Sequence, residues 1–383
     1  MRLVRKPWGT LAILTMIIVF ASLAGCGGGS NDATANDTGS NTTDQNATTN
    51  PSNNENASQN TETSQTSDKP LVFVWYPNES GEDLKGAREA IGAVIEKATG
   101  RKVEHKLTTD YNIAIEAIAS GQADLSFTGA QGYIAAHNRN PKVMPMFVSS
   151  GESGTLDDAV YYSWFNVLPE NAGMWQKDGK YTIDPMVGKR MSFVSNNSTS
   201  GFKVPSSVII EHFKNDPQWK DLTAEDLMEG GKGKFFSEVM FGGSHQGSAV
   251  NLLTNKADVA AFCDGCVANY VELKEGEANR PGAVYKVRDD AADPFTNLKG
   301  KEFVVISVTP VLNAPFSVNT DKVDQATIDK LIEVFTSDEV ANNEDIFIPK
   351  GSEKKGLFSK KSGKERFVPV DDSWFNPIRE LSN

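Results

Sequence analysis

The feature that most constrains this chain is an alternation of apolar runs and amphipathic stretches that starts at Leu71. Leu71-Val-Phe-Val-Trp75 is apolar at every position, as a strand covered on both faces requires. Tyr76-Pro77-Asn78 ends it, and Ser80 with Asp83 three residues on predicts a capping box. Leu84, Ala87, Ile91, Val94, Ile95 and Ala98 then share one helical face, closed by Gly100. Residues 103–107 read as a second strand, and Asp110-Tyr111 opens a helix that runs to Gly121. Residues 124–127 read as a third strand, and Thr128-Gly129 turns into a third helix carrying Tyr133. Successive βα units of this kind build a doubly wound, mostly parallel sheet, whose ligands gather beyond the carboxyl ends of its strands. Those ends carry Tyr76, Tyr111, Thr128 and Gly129, the first candidate site residues.

A second series follows. Residues 143–148 and 159–168 read as strands, and 171–184 as a polar insertion with Lys177-Asp178-Gly179-Lys180 at a hairpin tip. In Arg190 to Lys203, Met191, Phe193 and Val194 supply a strand and Asn196 to Ser200 supply turn and cap residues. Gly201 then opens a helix with Val204, Val208, Ile209 and Phe213 on one face. Such a turn aims free N–H groups and the positive helix end at one spot, which suits an anion. Ser198, Thr199 and Ser200 add three hydroxyls there; the competing reading is an ordinary capped helix. A helix is expected at 222–228 and a loop at 230–233.

Ala257-Asp258-Val-Ala-Ala-Phe262 with Cys263-Asp264-Gly265 echoes Ala123-Asp124-Leu-Ser-Phe127 with Thr128-Gly129, which predicts two lobes of like construction facing one cleft. Residues 303–307 read as a strand, 308–316 as a crossover and 327–335 as an amphipathic helix. The basic run at 350–364 reads as solvated surface, and 367–375 as a segment packing back on the first lobe.

The chain of 383 residues is long enough for two domains. It opens with Arg2, Arg5 and Lys6 and an apolar run from Leu11 to Phe20, too short for a comfortable span. Leu23-Ala24-Gly25-Cys26 resembles the lipobox of bacterial lipoproteins, which makes 1–26 a signal peptide with diacylglycerol on Cys26. An uncleaved anchor helix is the competing reading. Each buried acyl CH₂ contributes roughly 0.8 kcal/mol, so two or three chains hold a protein on a membrane. Residues 27–69 are Asn, Thr, Ser, Gln and Gly with almost nothing apolar, so they cannot offset their ordering entropy and read as a disordered tether. A coil of ~40 residues has an end-to-end distance of ~35 Å. The net charge of −12 argues against nucleic acid and means that a bound anion must be held by local dipoles.

Asp110-Tyr111 ahead of Gly121-x-x-Asp124, Phe127-x-Gly129-x-x-x-Tyr133, Ser198-Thr199-Ser200-Gly201 with Pro205, Ser244-His245, Ala257-Asp258-Val-Ala260 and Ser307 before Pro310 occur in that order over residues 71–338. In order and spacing they resemble the substrate-binding component of phosphonate/phosphite/phosphate ABC importers. The resemblance implies an α/β, two-lobed type II periplasmic-binding-protein fold with its ligand cleft at a two-strand hinge. Lobe 1 would comprise 70–163 and 308–383, and lobe 2 would comprise 164–307. It implies that Ser198, Thr199, Ser200 and Gly201 hold phosphoryl oxygens, with Tyr111, Tyr133 and His245 around the ligand. The expected partner is a membrane permease, with no catalysis, cofactor or metal, and with the lipobox the chain is expected to be a monomer anchored on the extracytoplasmic face.

The departures concern the organic part of the ligand. Asp264 is the candidate to receive an amino group, and Asn313 stands in the second crossover. Cys263-x-x-Cys266 admits a short-loop disulfide, a redox dithiol, or a thiolate site for a soft ion, though a metal would need further ligands. Two other functions are open. One is a sensor lipoprotein for another oxyanion. The other is a hydrolase with Ser198 or Ser200 as nucleophile and His245 as base, although no Gly-x-Ser-x-Gly elbow is present.

Overall fold

The computed structural model describes residues 69–381. The expected leader with Cys26, and the tether up to residue 68, lie outside the described residues. The first series appears in the expected order: β1 (Leu71–Trp75), α1 (Lys85–Thr99), β2 (Val103–Leu107), α2 (Tyr111–Ala119), β3 (Leu125–Phe127), α3 (Ala130–Arg139) and β4 (Val143–Ser149). The capping box does not form. Ser80 Oγ lies 2.8 Å from the Tyr76 carbonyl oxygen and 3.2 Å from that of Thr108, so these strand-end carbonyls take its hydrogen. Two short 3₁₀ turns, Pro77–Glu79 and Glu82–Leu84, lead into α1 instead.

The second series runs β5 (Val160–Val167), the hairpin β6 (Gln176–Lys177) and β7 (Lys180–Tyr181), β8 (Arg190–Phe193), α4 (Val204–Phe213), β9 (Glu238–Phe241), α5 (His245–Leu253), β10 (Val259–Cys263), α6 (Asp264–Val267), β11 (Val271–Glu275), β12 (Val284–Val287) and β13 (Glu302–Leu312). At the hairpin tip Asp178 and Gly179 have φ of 52° and 75°, as a tight primed turn demands. The helix expected at 222–228 is only the 3₁₀ turn Asp226–Met228. Thr223 and Asp226 bond each other's backbone N–H groups through their side chains, a capping box that starts the turn at Thr223 instead of Leu222. The chain then returns through β14 (Pro315–Asn319), α7 (Gln325–Phe335), α8 (Asp338–Ala341), β15 (Phe347–Pro349), β16 (Phe358–Lys360), β17 (Phe367–Pro369) and α9 (Asn376–Arg379).

Two large sheets result, ordered β17-β4-β14-β3-β1-β2 and β11-β12-β13-β5-β10-β8-β9. In the first, β1 to β4 point one way and β14 and β17 the other. In the second, only β5 and β12 oppose the rest. The arrangement β2-β1-β3-β14-β4 is matched by β9-β8-β10-β5-β13, so β3 and β10 occupy the same place. The echo between their sequences has a physical task. Asp124 Oδ2 accepts the Val72 N–H of β1 at 2.8 Å, and Asp258 Oδ2 accepts the Arg190 N–H of β8 at 2.8 Å. In each lobe the aspartate ahead of the third strand fastens it to the first.

β5 and β13 pair as one antiparallel ladder from Val160↔Leu312 to Val167↔Val304. The expected lobe bounds at 163/164 and 307/308 fall inside this ladder, and the expected crossover at 308–316 is mostly its continuation. The chain changes sheet between Ser149 and Val160, and again between Leu312 and Pro315. The tail packs back on the first lobe, where β17 pairs with β4. Phe147, fully buried, packs there against Phe316, Phe335 and Phe367 at centroid distances of 4.9, 4.8 and 5.2 Å. No helix of the described residues is long and apolar enough to cross a membrane. Phe147→Ala should destabilise the folded part by about 3–5 kcal/mol in urea melts, because it leaves a cavity among aromatic rings.

Candidate functional site

Between the two sheets lies a cavity of about 150 Å³ lined from both lobes. Its second-lobe wall is built on the turn after β8. Ser198 caps the following helix by accepting the Gly201 N–H at 3.1 Å. A Cβ on Gly201 would lie 2.3 Å from Val194 Cγ2, so only glycine lets the turn fold back on the strand. Thr199–Lys203 then forms a π-helical turn that runs into α4. Phe202 and Lys203 N–H groups both reach the Ser198 carbonyl, at 3.1 and 3.0 Å. The first N–H groups of a helix have no carbonyl ahead of them, and here they start at the cavity.

The first-lobe wall comes from the ends of β1 and β3. A Cβ on Gly129 would sit 2.8 Å from Thr199 Oγ1, which accepts the Gln131 N–H at 2.9 Å. The lobes touch there, and again at Asn78. Asn78 donates from Nδ2 to the Tyr111 hydroxyl (2.7 Å), while its Oδ1 accepts the His245 N–H (3.1 Å) and its carbonyl accepts from Gln246 Nε2 (3.2 Å). The Tyr76 ring packs tilted against Tyr111, with centroids 4.0 Å apart. Burial foremost pushes the phenols of Tyr76, Tyr111 and Tyr161 up, so all three remain protonated donors.

His245 is fixed in one tautomer. Its Nδ1 accepts the Cys263 backbone N–H at 3.0 Å, and burial lowers its pKa to about 3. The ring is therefore neutral with its hydrogen on Nε2, which faces Ser198 Oγ at 3.4 Å. A ring held this way donates but cannot take a proton from serine, which removes the base that a Ser-His hydrolase requires.

Four polar atoms sealed from solvent lack any partner in the protein and belong to residues lining this one cavity: Tyr76 Oη, Glu79 Oε2, Thr128 Oγ1 and Ser200 Oγ. The Tyr161 hydroxyl lies beside Ser200 and Thr199. None of the lining residues is Lys or Arg.

A family model described as the periplasmic substrate-binding protein of phosphonate ABC transporters matches residues 73–375. The chain belongs to that family. It is 25% identical over 228 residues to the phosphate-import protein PhnD of Mycolicibacterium smegmatis, a stretch covering 59% of this chain and 64% of that relative. Among solved structures it resembles a binding-protein component of an ABC phosphonate transporter from Pseudomonas aeruginosa (17% identity, TM-score 0.55, 82% of this chain and 86% of that one). It also resembles PhnD1 of Prochlorococcus marinus in complex with methylphosphonate (15% identity, TM-score 0.55, 82% and 97%). The family consists of transporter components rather than enzymes, and its members act outside the cytoplasm.

Within this family fold, Tyr76, Tyr111, Thr128, Gly129, Ser198, Thr199, Ser200 and His245 come together on the cavity. Three other expected residues do not line it. The Tyr133 hydroxyl donates to Asp372 at 2.5 Å and its ring packs on Phe375. Gly201 shapes the turn from behind. Asp264 accepts the Tyr162 N–H (2.9 Å) and Asn279 Nδ2 (3.3 Å), so its carboxylate anchors backbone; burial raises its pKa. Cys263 and Cys266 form a disulfide in the cavity wall. Their sulfurs lie within 4.8 Å of a His245 nitrogen, but as a disulfide they offer no thiolate to a metal.

Asn78, Glu79 and Tyr161 also line the cavity, and no sequence pattern marked them. The basic tail is not merely solvated surface. Its Gly356, Leu357 and Phe358 form part of the wall, with Phe358 packed near Phe127, Phe316 and Phe347 of the first lobe. Across the gap, Asn269 Nδ2 donates to the Gly356 carbonyl at 3.1 Å and Asn269 Oδ1 accepts the Gly356 N–H at 3.4 Å. Tyr133→Phe should cost about 1–2 kcal/mol of stability, the value of a hydrogen bond to a carboxylate. Calorimetric titration with methylphosphonate should show affinity unchanged.

Proposed function

We propose that this protein captures a small phosphonate-class oxyanion outside the cytoplasm and presents it to a membrane ABC permease. The observation that carries this reading is the set of unpartnered polar atoms on residues that line one cavity without a lysine or arginine. A sealed polar atom without a partner costs about 1–3 kcal/mol, so such a set signals a missing guest. Ser198, Thr199, Ser200 and Thr128 offer hydroxyls, Tyr76 and Tyr111 offer phenolic O–H groups, and His245 offers Nε2–H. A tetrahedral anion needs many directed donors, and these supply them without burying a lysine or arginine.

The contacts of Asn78 with His245 and Gln246, and of Gln131 with Thr199, exist only while the lobes are together. Ligand that binds this arrangement more tightly than a parted one shifts the population toward it, and the permease reads the closed form. We take the protein to work as a monomer. Leu23-Ala24-Gly25-Cys26 supports a lipid anchor, with the polar stretch up to residue 69 as its tether.

Methylphosphonate, phosphite and phosphate are the probes. At ~100 times its dissociation constant, the true ligand class raises stability by ~2.7 kcal/mol. Thr128→Val and Ser200→Ala remove hydroxyls that bond nothing in the protein, so they should leave the ligand-free melt nearly unchanged. Each should weaken binding by about 10- to 100-fold, as loss of a hydrogen bond to an anion does. If none of the three anions shifts the melt, the substrate class is wrong. For the anchor, Cys26→Ala should move the full-length protein from the membrane fraction to the soluble one after secretion.

A further inference from the structure

Glu79 is the one acidic side chain in the wall of this cavity. It ends the 3₁₀ turn after β1, and its Oε2 is sealed from solvent with no partner. Burial opposes the carboxylate more than a hydrogen bond from Asn78 and the charge of Arg88 favour it; Arg88 of α1 spends Nη1 on the backbone carbonyls of Glu79 and Gly81. The other titratable groups facing it are Tyr76 beyond β1, Tyr111 on α2, Tyr161 on β5, His245 on α5 and Tyr270 beyond α6. All of these are neutral near pH 7. Asp83 lies behind, beside the Tyr270 hydroxyl.

A carboxylate here would share a closed, cation-free space with a bound anion, and like charges that close strongly disfavour the second ionisation. A carboxylic acid removes that conflict and adds an O–H donor toward the anion's unprotonated oxygens. Burial already pushes the Glu79 carboxyl up from 4.5 to about 8, and an arriving anion raises it further.

We propose that Glu79 meets the ligand as a neutral carboxylic acid that donates its O–H to the bound oxyanion, so that capture depends on one proton held by the protein. This rests on the oxyanion reading above. It also sets specificity: the ligand must turn an acceptor oxygen, not an ammonium group, toward Glu79.

The test compares the wild-type protein with Glu79→Gln, whose amide keeps a donor but cannot ionise. Affinity for methylphosphonate is measured from about pH 6 to 10, and the ratio of the two proteins at each pH cancels the ligand's own titration. The ratio should be flat below about pH 8. Above it, wild-type affinity should fall about tenfold per pH unit relative to the variant. Calorimetry at about pH 9 in two buffers of different ionisation enthalpy should show the wild type taking up about one more proton than the variant.

A ligand-free readout stands beside these. Between pH 4.5 and about 8 the folded protein holds a proton that the unfolded chain has released, so stability falls as pH rises through that window. That slope should be shallower in Glu79→Gln. Parallel pH profiles would overturn the proposal. So would a variant that loses affinity only for aminoalkyl phosphonates, which would assign the carboxylate to an ammonium group. If the variant does not fold, the absence of proton uptake by the wild type at about pH 9 overturns it alone. No binding of any oxyanion to the wild type at any pH would instead sink the functional reading beneath it.

Discussion

A polar atom cut off from water and left without a partner is a standing cost, and this protein concentrates four such atoms on one cavity. Other sealed atoms without a partner, such as Trp175 Nε1 and Ser206 Oγ, lie away from this cavity, while Asp264 is served by Tyr162 and Asn279, Tyr133 by Asp372, and Ser248 Oγ by the carbonyls of Ser192 and Ala261. It is the grouping of four on one cavity wall that marks the place where the fold awaits something from outside. The same economy governs His245. Because the Cys263 N–H needs an acceptor, the imidazole is turned so that its hydrogen points inward, and one backbone bond decides that the ring donates rather than catalyses.

The frame around the cavity is one plan used twice. β1, β2 and β3 are matched by β8, β9 and β10, each trio closed by an aspartate that holds the first strand's backbone. Each sheet then admits one antiparallel strand, β14 or β5, from the chain arriving out of the other lobe. Because β5 and β13 pair along their whole common length inside the second sheet, the joint between the lobes is left to the short segments beyond the ladder's ends, 150–159 and 313–314.

Much of this was legible in the sequence, for local reasons. Buried strands such as Leu71–Trp75 leave no room for polar residues, and the Ser-Thr-Ser-Gly turn announces itself by composition. The Ala-Asp echo pointed to paired lobes because the same bond is made twice. What escaped was decided by distant partners. Tyr133 looked available until Asp372, far along the chain, took its hydroxyl. Glu79 follows a strand end and carries no periodic signal, so nothing but burial in a closed cavity distinguishes it from a surface acid. Residues 350–364 read as solvated because lysines dominate, whereas Leu357 and Phe358 among them turn inward onto rings from three other strands.

The reciprocal pair between Asn269 and Gly356 gives the lobes a further connection, beside the two chain crossings and the contacts of Asn78 and Thr199. Its two halves belong to different lobes, so any motion that parts Asn78 from His245 must also unfasten this buckle. The C-terminal loop therefore sits in series with exit from the cavity: how long a guest stays is governed partly by a latch in the cavity's own wall, distant in sequence from the Ser-Thr-Ser turn.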